Sequence, residues 1–183
     1  MESQLLLAIH QHASRALDVF FAVSHVVGGL EASIALVGML ALWHVARNER
    51  REALVWLVAG VWTLAALEVL KMGVGRHRPE LWPRMVEEMG YSFPSGHALA
   101  SATFYPLLAW DASSRRPTRA RLYYLLAVLG ALWIGLGRLY LGVHWPSDVA
   151  AGWTLGALQS VFAIARLNSR ERPTPSQGSL PPP

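Results

Sequence analysis

Apolar residues gather in long blocks along this chain instead of recurring at the three-to-four-residue spacing that gives a helix one dry and one wet face. Four blocks are clear, at about Gly29 to Ala46, Ala53 to Leu70, Leu122 to Gly137 and Ser147 to Ala165, and hardly a charge interrupts them. Each runs for roughly 16 to 20 residues, enough helix to cross the hydrocarbon core of a bilayer. A fifth block, His97 to Trp110, is shorter and reaches spanning length only if it starts at the preceding turn and extends to Ser113. Its first turn is therefore expected within protein and not in lipid. Residues 1–27 are apolar but broken by His10, His12, Arg15, Asp18 and His25, a pattern of interfacial or partly inserted helices. A positive n-region and a small-residue cleavage site are both missing there, so no cleaved signal peptide is expected. The pattern predicts an all-α integral membrane bundle of five to six transmembrane helices over residues 28–167. The stretch 168–183, ending in Ser-Leu-Pro-Pro-Pro, lacks the apolar content to pack and is expected to be a disordered tail.

Composition agrees with lipid as the solvent. The 183 residues suit one domain, 53% of them are hydrophobic, and the mean hydropathy of +0.30 exceeds that of an ordinary soluble domain. A net charge of +4 and a pI near 10.0 would suggest nucleic acid in a soluble protein. Here the basic excess has another explanation, and no nucleic-acid partner is expected. With alternating spans, Arg47, Arg50, Arg51, Arg115, Arg116, Arg119, Arg121, Arg166, Arg170 and Arg172 all fall on one side. That side is expected to be cytoplasmic, together with the C-terminus. Trp43, Trp56 and Trp110 then lie near inner ends of spans and Trp82, Trp145 and Trp153 near outer ends, as interfacial rings prefer. The chain has no cysteine, which removes disulfides and thiolate metal ligands.

The other side receives Lys71, Arg76, Arg78, Arg84 and Arg138, and their charge needs a different reason. Lys71 leaves the second block and the chain passes Gly73 and Gly75 to reach Arg76-His77-Arg78-Pro79. A mobile point charge and a planar guanidinium fork suit phosphate oxygens, although this cluster alone would also serve as a juxtamembrane patch for anionic headgroups. Pro94-Ser95-Gly96-His97 opens the fifth block, which makes Ser95 a helix N-cap and turns free backbone N–H groups into an anion cradle beside His97. A capping turn with an incidental histidine fits the same four residues. In the third cluster Arg138 is followed by His144 and Asp148, with Pro146 fitting the first position of a helix. A carboxylate four residues from an imidazole can hold it by a hydrogen bond, fix its tautomer and steady its cation. A buried His–Asp pair with a snorkelling arginine is the structural alternative.

Together the clusters supply what phosphoryl transfer needs: fixed cations and two histidines for opposite faces of an in-line displacement. His144, oriented by Asp148, suits the nucleophile; His97, with no carboxylate near it in sequence, suits the acid. The scheme requires no metal ion or cofactor, and the histidines lack metalloprotease spacing.

The ordered set Lys71-x6-Arg78-Pro79, Pro94-Ser95-Gly96-His97 and Arg138-x5-His144-x3-Asp148 resembles the type 2 phosphatidic acid phosphatase family over about residues 68 to 153. The resemblance implies phosphate binding by Lys71, Arg78, Ser95, Gly96 and Arg138, acid catalysis by His97, nucleophilic attack by His144 and orientation by Asp148. It implies a helical bundle with its site at the outer membrane boundary of a bacterial inner membrane. The substrate is expected to be a lipid phosphate or diphosphate, first undecaprenyl diphosphate, with phosphatidylglycerophosphate or phosphatidic acid as alternatives. One position departs from the pattern: Gly137 stands where the family has serine, which removes a hydroxyl donor. The rival from another class is a non-catalytic lipid-phosphate binder or transporter. Vanadate-dependent haloperoxidases share the resemblance's pocket but are soluble, unlike this chain. Glu68, one turn before Lys71, is read as a structural ion pair, Glu31 is set aside, and His10, His12, His25 and His44 are read as interfacial or locally satisfied.

Overall fold

Seven α-helices and one short 3₁₀ turn carry the chain through residues 1–169, the residues that the computed structural model describes. They are α1 (Glu2–His10), α2 (Arg15–Val27), α3 (Leu30–Ala46), α4 (Arg50–Val74), α5 (Gly96–Arg115), α6 (Ala120–Tyr140) and α7 (Pro146–Asn168), with the 3₁₀ turn at Pro117–Arg119 leading into α6. No strand occurs among the described residues. The expected tail lies outside the described residues from position 170 onward, and α7 runs through to Asn168.

By length and hydropathy, three helices qualify as membrane spans: α4, α6 with its 3₁₀ lead, and α7. The pair α2 and α3, bent by 47° at Gly28-Gly29, makes a fourth candidate if it counts as one broken span. Five to six spans were expected; these criteria stop at four. The difference lies in α5, which the sequence marks as the short block. This helix is the most enclosed of the seven, with Ala98, Leu99, Ala102, Phe104, Leu107 and Ala109 all buried. A helix surrounded by other helices needs little apolarity against lipid, so Ser101, Thr103 and Asp111 are tolerated in it.

Glycines set how closely α7 approaches α5. A Cβ on Gly152 would lie 2.7 Å from the Ser95 carbonyl oxygen, and one on Gly156 would overlap the Leu99 carbonyl oxygen. Small residues at such crossings let helix backbones touch, which replaces the hydrophobic drive that lipid does not supply. The main core joins α3, α4, α5 and α7 through Leu40, Trp56, Phe104, Leu107 and Leu167.

Two ends of the bundle differ in chemistry. At one end Arg115 pairs with Glu49 at 2.6 Å, the Trp110 indole donates to Asn168 at 3.1 Å, and Arg51 donates to the carbonyls of Arg166 and Leu167. These contacts gather the α3–α4 turn, the α5–α6 turn and the end of α7, and with them Arg47, Arg50, Arg51, Arg115, Arg116, Arg119 and Arg166. Lys71, Arg78, His97, Arg138 and His144 lie at the opposite end, where α1 and α2 are docked. Leu6 of α1 is fully buried there against Ala98, Leu139 and Val149. Ser14, at the start of α2, meets the Tyr140 hydroxyl at 3.2 Å, and His25, near its end, meets Arg138 at 2.9 Å.

Candidate active site

The α4 helix ends at Gly75, whose φ of 61° places it in the left-handed region that a glycine reaches without strain. The chain then turns across the bundle end as a loop, and Arg78 goes to the interior. The residue is 7% exposed, and its guanidinium is fixed by three carbonyls: Nε donates to Gly90 at 3.1 Å, Nη1 to Val143 at 3.0 Å and Nη2 to Met89 at 3.1 Å. Burial lowers its pKa from the ordinary arginine value, partly opposed by the charge of Glu88.

Nη1 of Arg78 also lies 3.0 Å from Nε2 of His144. A guanidinium has only donors, so Nε2 is the acceptor and the ring proton sits on Nδ1. His144 occupies the loop between α6 and α7 and is buried. Burial pushes its imidazole below the ordinary histidine value, against the opposing pull of Asp148. Nδ1 faces Oδ2 of Asp148 at 3.6 Å, beyond hydrogen-bond reach, so the carboxylate acts on the ring by charge in this state. The hydrogen bonds of Asp148 go elsewhere. Oδ2 accepts from the Trp145 backbone N–H at 2.8 Å, closing the first turn of α7, and Oδ1 accepts from Arg76 at 2.7 Å. Arg76 is braced in turn by Glu2 of α1 at 2.5 Å, and Glu2 accepts from the Ser147 backbone N–H at 2.9 Å. The sequence ranks Arg76 only as a charge and gives no signal for Glu2.

Ser95 caps α5, its hydroxyl accepting from the Ala98 N–H at 3.5 Å, while its own N–H donates to the Asp148 carbonyl at 3.0 Å. That bond ties the α5 start to the α7 start, and so His97 to the His144 loop. A Cβ on Gly96 would press on Leu67 at 3.0 Å, so glycine keeps α4 close to the cradle. Arg138, in the last turn of α6, is fully buried. Its Nη1 contacts His25 Nδ1 at 2.9 Å, Glu88 Oε1 at 3.1 Å and His97 Nε2 at 3.3 Å. Its Nε and Nη2 have no partner among the described residues, a costly state for a buried cation and one that an anion would relieve.

Glu88 lies at the centre. One carboxylate oxygen is 3.1 Å from Arg138 and the other 3.3 Å from Arg78, so an internal anion bridges two of the guanidiniums assigned to phosphate. Its Oε1 is also 3.8 Å from His97 Nδ1, so the acid expected to lack a carboxylate in sequence has one in space. Glu88 escaped the sequence reading because it sits in a polar loop beside Glu87 with no motif around it. His25, read as interfacial or locally satisfied, is a correction: it stacks on His97 with ring centres 5.3 Å apart and reaches Arg138. A polar residue breaking an apolar segment was the available signal.

His25, Glu88 and His97 present ligand atoms close enough to one another to hold a metal ion. Nη1 of Arg138 already sits among those atoms, and a fixed guanidinium there opposes a dication by like charge.

A cavity of about 430 Å³ opens from these groups. Lys71, Glu68, Arg78, Glu88, His97 and His144 line its polar end, and it continues between α3 and α4 past Leu67, Leu64, Val61, Ile34 and Val37 to Phe104. The structure thus gathers Lys71, Arg78, Ser95, Gly96, His97, Arg138, His144 and Asp148 at one end of the bundle. Gly137 faces Ser24 and Phe21 of α2.

Comparison with known proteins adds three findings. A family model described as the PAP2 superfamily matches residues 53–172. Phosphatidylglycerophosphatase B of Bacillus subtilis is 38% identical over 94 residues, which is 50% of this chain and 46% of that protein. An undecaprenyl-diphosphatase of Sulfolobus acidocaldarius is 29% identical over 136 residues, 70% of this chain and 61% of that one. The chain therefore spans about half to three-fifths of the length of these relatives. Among solved structures, a transmembrane PAP2-type phosphatidylglycerolphosphate phosphatase from Bacillus subtilis superposes with a TM-score of 0.84 at 26% identity, covering 93% of this chain and 87% of that one.

Proposed function

This chain belongs to the PAP2 superfamily, and on that premise we propose that it is an integral membrane phosphatase that removes a phosphate from a lipid phosphate or diphosphate through a phosphohistidine intermediate. One observation carries the reading. His144, Arg78, Glu88, Arg138 and His97 form a continuous line of contacts at 3.0, 3.3, 3.1 and 3.3 Å. A phosphoryl group in the place of the Glu88 carboxylate has a guanidinium on each side, His97 Nδ1 within 3.8 Å of its position and His144 Nε2 beside Arg78; in the proposed reaction the two rings reach it from opposite faces.

In this scheme Arg78, Arg138 and Lys71 hold the phosphoryl oxygens, with backbone N–H groups at the start of α5 adding dipolar stabilisation. The lone pair on His144 Nε2 attacks phosphorus; the N–P bond forms as the bond to the leaving oxygen breaks. Protonated His97 gives that oxygen its proton, releasing a lipid alcohol from a monophosphate or a lipid monophosphate from a diphosphate. Asp148 balances the charge that His144 gains. Water then attacks phosphorus with His97 taking its proton, and inorganic phosphate leaves as His144 returns to neutral. Fixed cations supply most of the charge stabilisation in this scheme, with backbone N–H groups and Asp148 supplying the rest, so it runs without a metal ion.

The apolar continuation of the cavity between α3 and α4 supports a substrate with a long hydrocarbon tail that slides in from the bilayer. Undecaprenyl diphosphate is the first choice, in line with the Sulfolobus relative's name, and phosphatidylglycerophosphate, in line with the Bacillus relative's, is the second. Phosphatidic acid completes the set. The basic end carrying Arg47, Arg50, Arg51 and Arg115 is assigned to the cytoplasm of a bacterial cell, and the reaction centre to the outer face of the inner membrane. The test is phosphate release from these lipids by purified protein in detergent with EDTA present. Turnover of one of them is expected; activity abolished by the chelator overturns the metal-free scheme, and lipid binding without turnover by any of them favours a binder.

A further inference from the structure

We infer that His25, on the N-terminal helix α2, is a positioning residue of this reaction centre: its Nδ1 anchors Nη1 of the Arg138 guanidinium, the nitrogen that also meets the Glu88 carboxylate where the substrate phosphate is proposed to sit. The inference rests on the phosphate-binding role proposed for Arg138.

Among the described residues, the Arg138 side chain makes its hydrogen bonds through Nη1 alone, and three groups share that nitrogen. Two of them change during the proposed reaction. The Glu88 carboxylate gives way to phosphate, and His97 carries a proton before it acts, which removes its acceptor. His25 persists. At 2.9 Å its Nδ1 is also the shortest of the three contacts, and it accepts only as the neutral ring with the proton on Nε2. A buried guanidinium on a long side chain, held by a fixed acceptor at the nitrogen that meets Glu88, keeps that nitrogen in place when phosphate replaces the carboxylate. The same residue acts on the acid: the backbone carbonyl of His25 lies 3.2 Å from His97 Nε2 and gives that nitrogen's proton an acceptor.

Gly137 explains how α2 comes so close. A Cβ there would overlap the Ser24 hydroxyl and would stand 3.3 Å from Ser24 Cβ and 3.2 Å from Phe21 Cδ1. Rotating the Ser24 hydroxyl relieves the first contact but not the other two. Gly28 seats against Ile134 of α6 in the same way. The chain thus carries glycine where the family pattern has serine, uses the space to lay α2 on α6, and gains an imidazole beside Arg138.

The experiment compares full-length protein in detergent with its His25→Leu, His25→Asn and Gly137→Ser forms. It measures lipid phosphate hydrolysis and, by calorimetry, binding of inorganic phosphate, which needs no turnover. His25→Leu is expected to raise KM and the phosphate Kd about tenfold, as loss of a hydrogen bond to a charged group does, with a smaller change in kcat. His25→Asn, whose Oδ1 accepts near the Nδ1 position, is expected to stay within about threefold of the unaltered protein. Gly137→Ser is expected to weaken phosphate binding as His25→Leu does, and the double variant no further, because both act through one contact. Unchanged phosphate binding in His25→Leu, or equal loss in His25→Leu and His25→Asn, overturns the inference. If His25→Leu does not fold, a Kd raised tenfold in His25→Asn overturns it and a Kd within threefold supports it. Unaltered protein that binds phosphate but hydrolyses none of the lipids fails the proposed function and leaves the His25 comparison readable. Unaltered protein that binds no phosphate overturns both.

Discussion

His144 is held neutral by two influences that act together. Arg78 donates to Nε2 at 3.0 Å and so keeps a lone pair on that nitrogen, while burial keeps the ring neutral. The sign of the pH effect follows. A group whose folded pKa is pushed below its ordinary 6.5 stays in its neutral, nucleophilic form at pH 6.5 and loses it only at lower pH. The acid limb of kcat/KM assigned to His144 is therefore expected below pH 6.5, and a midpoint at or above that value contradicts the assignment. Replacing His144 by alanine is expected to cost kcat about 10⁴-fold or more, and His97→Ala about 10²- to 10⁴-fold. Near-normal turnover in His144→Ala removes it as nucleophile. Glu88 pairs with the two guanidiniums proposed to hold the substrate phosphate, so Glu88→Gln is expected to lower the phosphate Kd about tenfold, as removal of a competing charged bond would. Weaker phosphate binding in that variant means the carboxylate assists instead of competing. Most of these side chains were legible in sequence because their spacing ties them to helix ends. Glu88 and His25 were not, since each reaches the centre by chain folding from a segment without a motif.

Helix ends organise the chemistry. Ser95 and Pro146 announce the starts of α5 and α7 in sequence, and the structure begins α5 at Gly96, with Ser95 as its cap, and α7 at Pro146. The cavity between α3 and α4 was not legible, because it depends on which faces of two apolar helices stand apart. Nor was the α5–α7 crossing, which the structure traces to Gly152 and Gly156. Gly156→Leu is expected to destabilise the bundle by about 1–3 kcal/mol or more, since the new side chain meets backbone on α5 that has no rotamer to yield. A thermal shift in detergent measures this; an unchanged melting temperature means α7 can slide away from α5. The hydropathy pattern located α4, α6 and α7 well because those helices present broad apolar faces to lipid. It ranked α5 lowest, because that helix packs among its neighbours and needs no such face.

One end of the whole molecule collects arginines in turns, and the other collects the proposed reaction centre under α1 and α2. Sidedness is open to a direct test, because the chain has no cysteine and Glu87 is exposed in the loop over the centre. Glu87→Cys is expected to react with an impermeant thiol reagent in intact cells. Labelling only after lysis inverts the proposed orientation. The sequence by itself determined the solvent, the helical class and the identity of most of the groups that the structure gathers at the proposed centre. Long uncharged blocks can satisfy their backbones in lipid only as helices, and cations, capping residues and histidines at block ends carry their chemistry in their type and spacing. Tertiary structure alone decided which carboxylate bridges Arg78 and Arg138, that Asp148 bonds to Arg76 ahead of His144, and that the N-terminal helices belong to the centre. Those facts depend on packing distances between segments remote in sequence, down to the absence of a single methyl group at Gly137, and no local pattern encodes such distances.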